Sequence, residues 1–146
     1  MEHVFIRKAE LDDAPMIADL SNQLGYQSTV EQAENRLTTI LNSEDHAVLL
    51  VCLSDGEVVG WIHTFLSFRV ESDCFAEIGG LVVLSLYQNS GFGKKLIAAA
   101  EEWTIQKGIN KLRVRSRCDR SDALAFYKQQ GFSKTKLQQV FDKDLK

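Results

Sequence analysis

The chain has 146 residues, a formal net charge of −3 at pH 7, 45% hydrophobic residues and 25% charged residues. This length is typical of one domain, which can bury about 70% of its unfolded surface in a core without disulfide or metal support. The composition excludes disordered, collagen-like and coiled-coil chains, no apolar run approaches the ~20 residues of a membrane span, and the mild acidity disfavours nucleic acid as a partner.

The hydrophobic pattern predicts strands and helices in the order β-α-α-β-β-β-α-β-α-β-β. Apolar runs bounded by turn residues predict the strands, and the helices begin at capping residues and end near glycines. This order predicts a mixed α/β sheet covered by helices. In chain order the predicted elements are a strand at Val4–Arg7, a helix capped by Asp12 or Asp13, a helix that follows Thr29, strands at Ala47–Leu53, Val58–Phe68 and Phe75–Leu84, a helix at Gly91–Lys107, a strand at Lys111–Ser116, a helix at Asp122–Gln130, and a final hairpin of Phe132–Leu137 with Gln139–Leu145.

Three cysteines and three histidines are scattered along the chain, and no two cysteines form a CxxC pair. An odd number of scattered thiols is typical of reduced cysteines in a cytoplasmic protein, and the spacing disfavours a metal site. The first residues carry acids early and lack an apolar signal core, so no export signal is expected. We therefore expect a cytoplasmic protein without a metal and without membrane association.

A loop with two glycines precedes the longest predicted helix. Gly91 and Gly93 lie where this helix begins, and Lys94 and Lys95 occupy its first turn. Free N–H groups and the positive end of the helix dipole attract phosphate there, and glycines let the backbone approach an anion closely. The two lysines oppose the helix dipole, and such a local conflict is typical of a functional site. The loop therefore predicts a phosphate site; the alternative is that the glycines only shape a tight turn.

Three motifs occur in order along the chain. They are the strand Ile78–Val83, the loop Gln88-x-x-Gly91-x-Gly93 and the helix Ala123–Phe132. In that order, they resemble the pantetheine-binding strand, the pyrophosphate loop and the late A-x-x-F/L-Y-x-x-x-G-F helix of the GNAT superfamily of acyl-CoA-dependent N-acyltransferases. The resemblance covers nearly the whole chain. It implies one GNAT-like acetyltransferase domain over residues 1–146, with a mixed, mostly antiparallel central sheet and helices on both faces.

The resemblance implies a role for each motif. Backbone N–H groups of the loop would hold the pyrophosphate of acetyl-CoA, the cosubstrate, and the strand would pair with its pantetheine arm. A backbone N–H near Leu81 or Val82 would polarise the thioester carbonyl, and Tyr127 would protonate the departing thiolate. The family often has asparagine where Arg120 stands here. The predicted coenzyme-binding residues are Leu81, Val82, Val83, Gln88, Asn89, Ser90, Gly91, Phe92, Gly93 and Lys94.

Glu77 is the predicted general base, because it interrupts an otherwise apolar strand four residues before the presumed carbonyl-binding position. Period-two alternation places Glu77 on the face that also carries Leu81 and Val83. A partly buried carboxylate there can take the proton of an amine directly or through water. The alternatives are that Glu77 pairs with a cross-strand cation or faces solvent, and that His63 or water is the base.

These observations predict an N-acetyltransferase in which a primary amine attacks acetyl-CoA directly in a ternary complex. The acceptor stays open between small molecules and peptides, and its loops are expected around residues 22–30 and 69–75. The resemblance also allows a homodimer, with the C-terminal hairpin as a candidate surface. The alternative function is a non-catalytic acyl-CoA-binding or sensing module, which would need the glycine loop but neither Glu77 nor Tyr127.

Overall fold

Five strands form one sheet in the order β1-β2-β3-β4-β5 in the computed structural model, which describes residues 3–23 and 25–146. Neighbouring strands from β1 to β4 pair antiparallel, whereas β5 pairs parallel with β4. This confirms the predicted mixed, mostly antiparallel sheet. The strand bounds are Val4–Lys8 for β1, His46–Leu53 for β2, Val58–Ser67 for β3, Phe75–Val83 for β4 and Leu112–Val114 for β5.

Four α-helices accompany the sheet among the described residues. None of them combines the length and hydrophobicity that a membrane crossing requires. Helix α2 begins at the predicted capping box: the Gln32 N–H donates to Thr29 Oγ1 and the Thr29 N–H donates to Gln32 Oε1, both at 3.0 Å. The helix bounds are Ala14–Gln23 for α1, Val30–Leu41 for α2, Phe92–Gln106 for α3 and Ser121–Gln129 for α4.

An ion pair ties β1 to the turn before α1. Arg7 donates to both carboxylate oxygens of Asp13, at 2.7 and 2.9 Å, and the Glu10 N–H donates to the same carboxylate at 2.7 Å. The hydrogen bonds from Arg7 hold the pKa of Asp13 below its usual range although burial opposes this shift. Asp13 thus closes a short turn at Leu11–Asp13 and does not cap α1, which begins at Ala14.

The described residues divide into two compact units, one that ends at Val114 and one that runs from Arg115 to Lys146. In the first unit, helices cover both faces of the sheet, as predicted. Ala18 of α1 and Leu37 of α2 pack with Leu50 on one face, and Trp103 of α3 packs with Ala76 on the other. The 3.6-residue spacing of apolar side chains in each helix produces this arrangement.

The second unit contains α4 but not the predicted final hairpin. No described residue after α4 is in a strand, so the expectation of strands at Phe132–Leu137 and Gln139–Leu145 is wrong. The connection at Gln138 lacks the glycine, asparagine or aspartate that a tight hairpin turn needs, and an isolated two-stranded hairpin is at best marginally stable. Val140 and Phe141 are exposed instead of packed across a ladder. Formation of a homodimer stays a prediction, but the C-terminal hairpin is no longer a candidate surface for it.

Candidate active site

A β-bulge interrupts β4 at Gly79. The register between β3 and β4 shifts beside His63, which leaves Gly79 without a partner in the ladder. A Cβ atom at Gly79 would lie 2.7 Å from His63 Nδ1, and a Cβ atom at Gly80 would lie 2.9 Å from the ring of Trp61. Glycine therefore fits at both positions and other residues do not. Such bulges are frequent beside active sites, where they redirect a strand.

The bulge changes which residues of β4 share a face. Glu77 lies on the same face of the sheet as His63, and helices α1 and α2 pack on that face. Val83 lies opposite Gly60, where a Cβ atom would lie 3.4 Å from Leu96 of α3. Leu81 lies on the same face of the sheet as Val83, the face toward α3. The prediction that Glu77, Leu81 and Val83 share one face is therefore wrong, because one extra residue shifts the alternation.

Strands β4 and β5 separate just after Ile78. Their parallel ladder ends where Ile78 pairs with Val114, which makes β5 shorter than the predicted strand Lys111–Ser116. No described strand pairs with residues 79–83 on this side, so the backbone groups of that edge have no strand partner. An extended ligand with amide groups, such as the pantetheine arm of a coenzyme, can pair with such an edge. This geometry fits the predicted role of Leu81, Val82 and Val83.

The loop between β4 and α3 contains two residues in left-handed backbone conformation. Gly91, with φ +88°, is the N-cap of α3, and Asn89, with φ +69°, is the only non-glycine residue with positive φ among the described residues. Phe92 is buried and stacks on Tyr87 with ring centroids 5.5 Å apart, which anchors the first turn of α3. No side chain caps α3, so the N–H groups of its first turn remain available to an anion.

The predicted phosphate site is one continuous segment, Gln88–Lys94, at the start of α3. Gln88 Nε2 donates to the Val83 carbonyl at 3.3 Å and ties this loop to the end of β4. Lys94 and Lys95 are exposed in the first turn, which contains no acid. The helix dipole, the free N–H groups and both lysines thus present positive potential to a pyrophosphate.

A cavity of about 330 Å³ lies between the sheet and helices α1 and α2. Its sheet side consists of Trp61, His63 and the glycines of the bulge, and it extends along β4 to Leu81 and Val82. The cavity therefore reaches the backbone positions where the resemblance places the thioester. The sequence did not reveal this cavity, because its wall comes from segments far apart in the chain.

The predicted acceptor loops differ in their relation to this cavity. Tyr26, Gln27 and Ser28, from the loop expected around residues 22–30, line it. No described residue from the loop around residues 69–75 does. Its lining also includes Arg36 of α2, which no sequence pattern had singled out.

His63 and His46 form a pair at the sheet wall of the cavity. His63 Nε2 lies 2.9 Å from His46 Nδ1, and the rings stack with centroids 5.2 Å apart. Burial, and secondarily the neighbouring His46, lower the pKa of His63 to about 4. His63 is therefore a neutral imidazole at pH 7, which can accept a proton but adds no charge to the cavity.

Glu77 lies at the border of the cavity and not in its wall. It is half-buried, opposite Phe65 of β3 and Arg113 of β5, and the cavity wall begins two residues further along β4. The Arg113 guanidinium lies 4.1 Å from the ring centroid of Phe75 on this face. The structure thus brings Glu77 and His63 to one face of the sheet, and leaves both as candidates for the base.

Tyr127 lies in α4 of the second unit, at the predicted position in that helix. Its ring makes edge contacts with Phe126 and Phe132, at centroid distances of 5.3 and 5.7 Å. The Phe132 N–H donates to the Tyr127 carbonyl at 3.0 Å just beyond the end of the helix. This packing explains the aromatic residues of the motif, and the role of the hydroxyl as an acid stays a prediction.

Comparison with known proteins places these features in a family. The model of the Acetyltransferase (GNAT) family matches residues 14–132. An aminoglycoside N(6')-acetyltransferase type 1 from Stenotrophomonas maltophilia is 33% identical over 134 residues, which cover 89% of this chain and 86% of that protein. The uncharacterized N-acetyltransferase YhfO from Bacillus subtilis is 27% identical over 132 residues, covering 87% of this chain and 88% of that protein.

Solved structures share the fold at lower identity. AAC(6')-Iy, in complex with the bisubstrate analogue CoA-S-monomethyl-acetylneamine, superposes with a TM-score of 0.86 at 20% identity, over 98% of this chain and 99% of that chain. AAC(6')-Ih from Acinetobacter baumannii gives the same TM-score at 16% identity, with the same coverage.

Among the described residues, no group of three or more His, Cys, Asp or Glu side chains is arranged to hold a metal.

The loop geometry predicts that Gly91→Ala weakens coenzyme binding. A methyl group at Gly91 would meet no described atom within 4 Å, but φ +88° is strained for alanine and the loop would shift. We expect the Kd for acetyl-CoA, measured by calorimetry, to rise about tenfold or more. Gly56→Ala is the matched control, because Gly56 has φ +93° and equal space in the β2–β3 turn. Equal Kd values for the two variants would contradict the phosphate site.

The buried histidine predicts a pH dependence of stability. Because the pKa of His63 is about 4 in the folded state and about 6.5 in the unfolded state, the unfolded chain takes up the proton first as the pH falls. The free energy of unfolding should thus decrease from pH 6.5 to pH 4, by up to about 3 kcal/mol from this group. Urea unfolding of His63→Gln should show a smaller decrease, whereas His3→Gln, at an exposed position, should follow the wild type. A wild-type slope in His63→Gln would show that other groups cause it.

Proposed function

Because the chain belongs to the GNAT acetyltransferase family, we propose that it moves the acetyl group of acetyl-CoA to a primary amine that attacks the thioester directly in a ternary complex. One observation carries this proposal: the backbone edge suited to pantetheine and the cavity suited to an amine meet at Leu81 and Val82 of β4. Two substrates bound there at once would react without an intermediate carrier. Such positioning supplies a large part of the rate enhancement in a reaction of this kind.

The coenzyme is held mainly by backbone groups in this proposal. The N–H groups of Asn89 and of residues 91–94 bind the pyrophosphate at the start of α3, whereas those of Gln88 and Ser90 already donate to the Ser85 and Tyr87 carbonyls. Residues 81–83 pair with the pantetheine arm. A backbone N–H near Leu81 or Val82 donates to the thioester oxygen as negative charge develops on it. Donors that are already in place need no rearrangement during the reaction, which is why such sites stabilise an oxyanion strongly.

Proton transfers complete the reaction. The nitrogen–carbon bond forms as the carbon–sulfur bond breaks, one proton leaves the amine for Glu77, directly or through water, and Tyr127 gives a proton to the departing thiolate. His63 is the alternative base because its neutral ring lies in the cavity wall. No cysteine is among the described residues that line the cavity, which disfavours an acyl-enzyme. The relatives named as aminoglycoside acetyltransferases support a small-molecule amine as the acceptor.

The first experiment removes the carboxylate with Glu77→Gln. Thiol release from acetyl-CoA, assayed with a panel of primary amines, should fall about 10²–10⁴-fold in kcat/KM, most strongly at low pH, while coenzyme affinity stays unchanged. Glu57→Gln, in the exposed β2–β3 turn, is the matched control and should keep the wild-type rate. A full rate and an unchanged pH profile in Glu77→Gln would assign the base to His63 or to water. Coenzyme binding without thiol release, for any amine, would instead favour a non-catalytic sensing module.

The second experiment removes only the phenol hydroxyl with Tyr127→Phe. Because a thiolate with a pKa near ~8.5 is already a fair leaving group, we expect turnover to fall by about one to two orders of magnitude, not to vanish. Melting temperature and acetyl-CoA affinity should stay near the wild-type values, since the aromatic ring is kept. A normal melt with a wild-type rate would leave Tyr127 with a packing role alone. A much lower melting temperature would make the hydroxyl structural.

A further inference from the structure

The cavity wall contains hydrogen-bond donors and one permanent positive charge, but no carboxylate among the described residues that line it. Glu77 stands outside the wall, two residues before Gly79. Most of the remaining lining is apolar and comes from α1, α2 and the sheet. These apolar residues are Ile17, Ala33, Leu37, Ile40, Val48, Leu81 and Val82.

Trp61 contributes a donor that the described residues leave unused. Its indole ring lines the cavity, and its Nε1–H is buried without a hydrogen-bond partner. The opposite edge of the ring packs against Gly80, so the bulge holds the indole in place. A buried N–H without an acceptor is unfavourable, and an oxygen atom of a ligand would relieve this cost.

Arg36 contributes the positive charge. It lies on α2 at an exposed position, and its guanidinium makes a long hydrogen bond of 3.4 Å to Ser28 Oγ. No described carboxylate forms an ion pair with Arg36. An arginine in this setting favours a planar anion such as a carboxylate, which it can bind through two parallel hydrogen bonds.

We propose that the acceptor is a primary amine whose apolar body carries a carboxylate, in the manner of an apolar amino acid or a short peptide, and not a polycationic aminosugar. This inference rests on the proposed acetyl transfer and specifies its acceptor. The amine would face the bulge of β4, the apolar body would occupy the space between α1, α2 and the sheet, and the carboxylate would face Arg36 and the Trp61 N–H. The carboxylate binds but takes no part in the bond changes.

The same wall disfavours an aminoglycoside. Several ammonium groups would enter a cavity whose described lining has an arginine and no acid to pair with them. Like charges brought together and left without partners are the usual way in which a site rejects a competing ligand.

The test compares acceptors that carry a carboxylate with their amides and with an aminoglycoside. Thiol release from acetyl-CoA is measured with phenylalanine, leucine and glycyl-phenylalanine, each beside its C-terminal amide, and with neamine as the aminoglycoside. We expect kcat/KM to be about 10–100-fold higher for the carboxylates than for the amides. Since the amine of an amino-acid amide is less basic and more often unprotonated, basicity alone would produce the opposite order.

Two variants connect this preference to the cavity. Arg36→Gln and Trp61→Phe should each reduce the ratio of carboxylate to amide rates, a ratio that general damage to the fold would not change. Lys107→Gln removes one positive charge beside Trp103 on the α3 face and should keep the wild-type ratio. Preference for neamine, or equal rates for acids and amides, would overturn this inference and leave the acetyl transfer standing. Coenzyme binding with no turnover of any amine would overturn the proposed function itself.

Discussion

The side chains of His63 and Trp61 pack against β4 where only glycine fits, and the proposed positions of both substrates depend on this contact. The bulge at Gly79 adds one residue to β4, and just before it the ladder with β5 ends. The edge of β4 beyond the bulge therefore has no strand partner among the described strands. Gly80, Leu81 and Val82 of this segment also line the cavity between the sheet and helices α1 and α2. A β4 strand without the bulge would have continued to pair with β5. Leu81 would then lie neither at an unpaired edge nor beside the cavity.

The two halves of the site use different parts of the chain. The proposed coenzyme half depends on backbone N–H groups and the dipole of α3, which many sequences would preserve provided that Gly91 keeps its left-handed conformation. The proposed acceptor half depends on individual side chains, among them Arg36 and Trp61. Proteins that share the first half can therefore differ in the second. For this reason 33% identity to an aminoglycoside acetyltransferase supports the chemistry more strongly than the acceptor.

Burial has linked consequences in the acceptor half. Burial lowers the pKa of His63 and leaves the indole N–H of Trp61 without an acceptor. Each of these features opposes the stability of the empty protein to a modest degree. Each also prepares the cavity for a ligand, because a neutral base and an unused donor are ready when the ligand enters. His63 and the unused N–H of Trp61 thus lie on the face of the sheet that α1 and α2 cover.

The sequence by itself determined the features that depend on neighbouring residues. The capping box at Thr29 and the glycine that opens α3 follow from local patterns, because each depends on hydrogen bonds or backbone conformation within a few residues. The mostly antiparallel sheet pairs strands far apart in the chain, and the resemblance to a known family implied it. Only the tertiary structure decided the face of Glu77, since one unpaired residue at Gly79 reverses an alternation that is regular on either side. It also decided that Arg36 reaches the cavity. Those outcomes depend on register and packing between segments far apart in the chain, which no local pattern encodes.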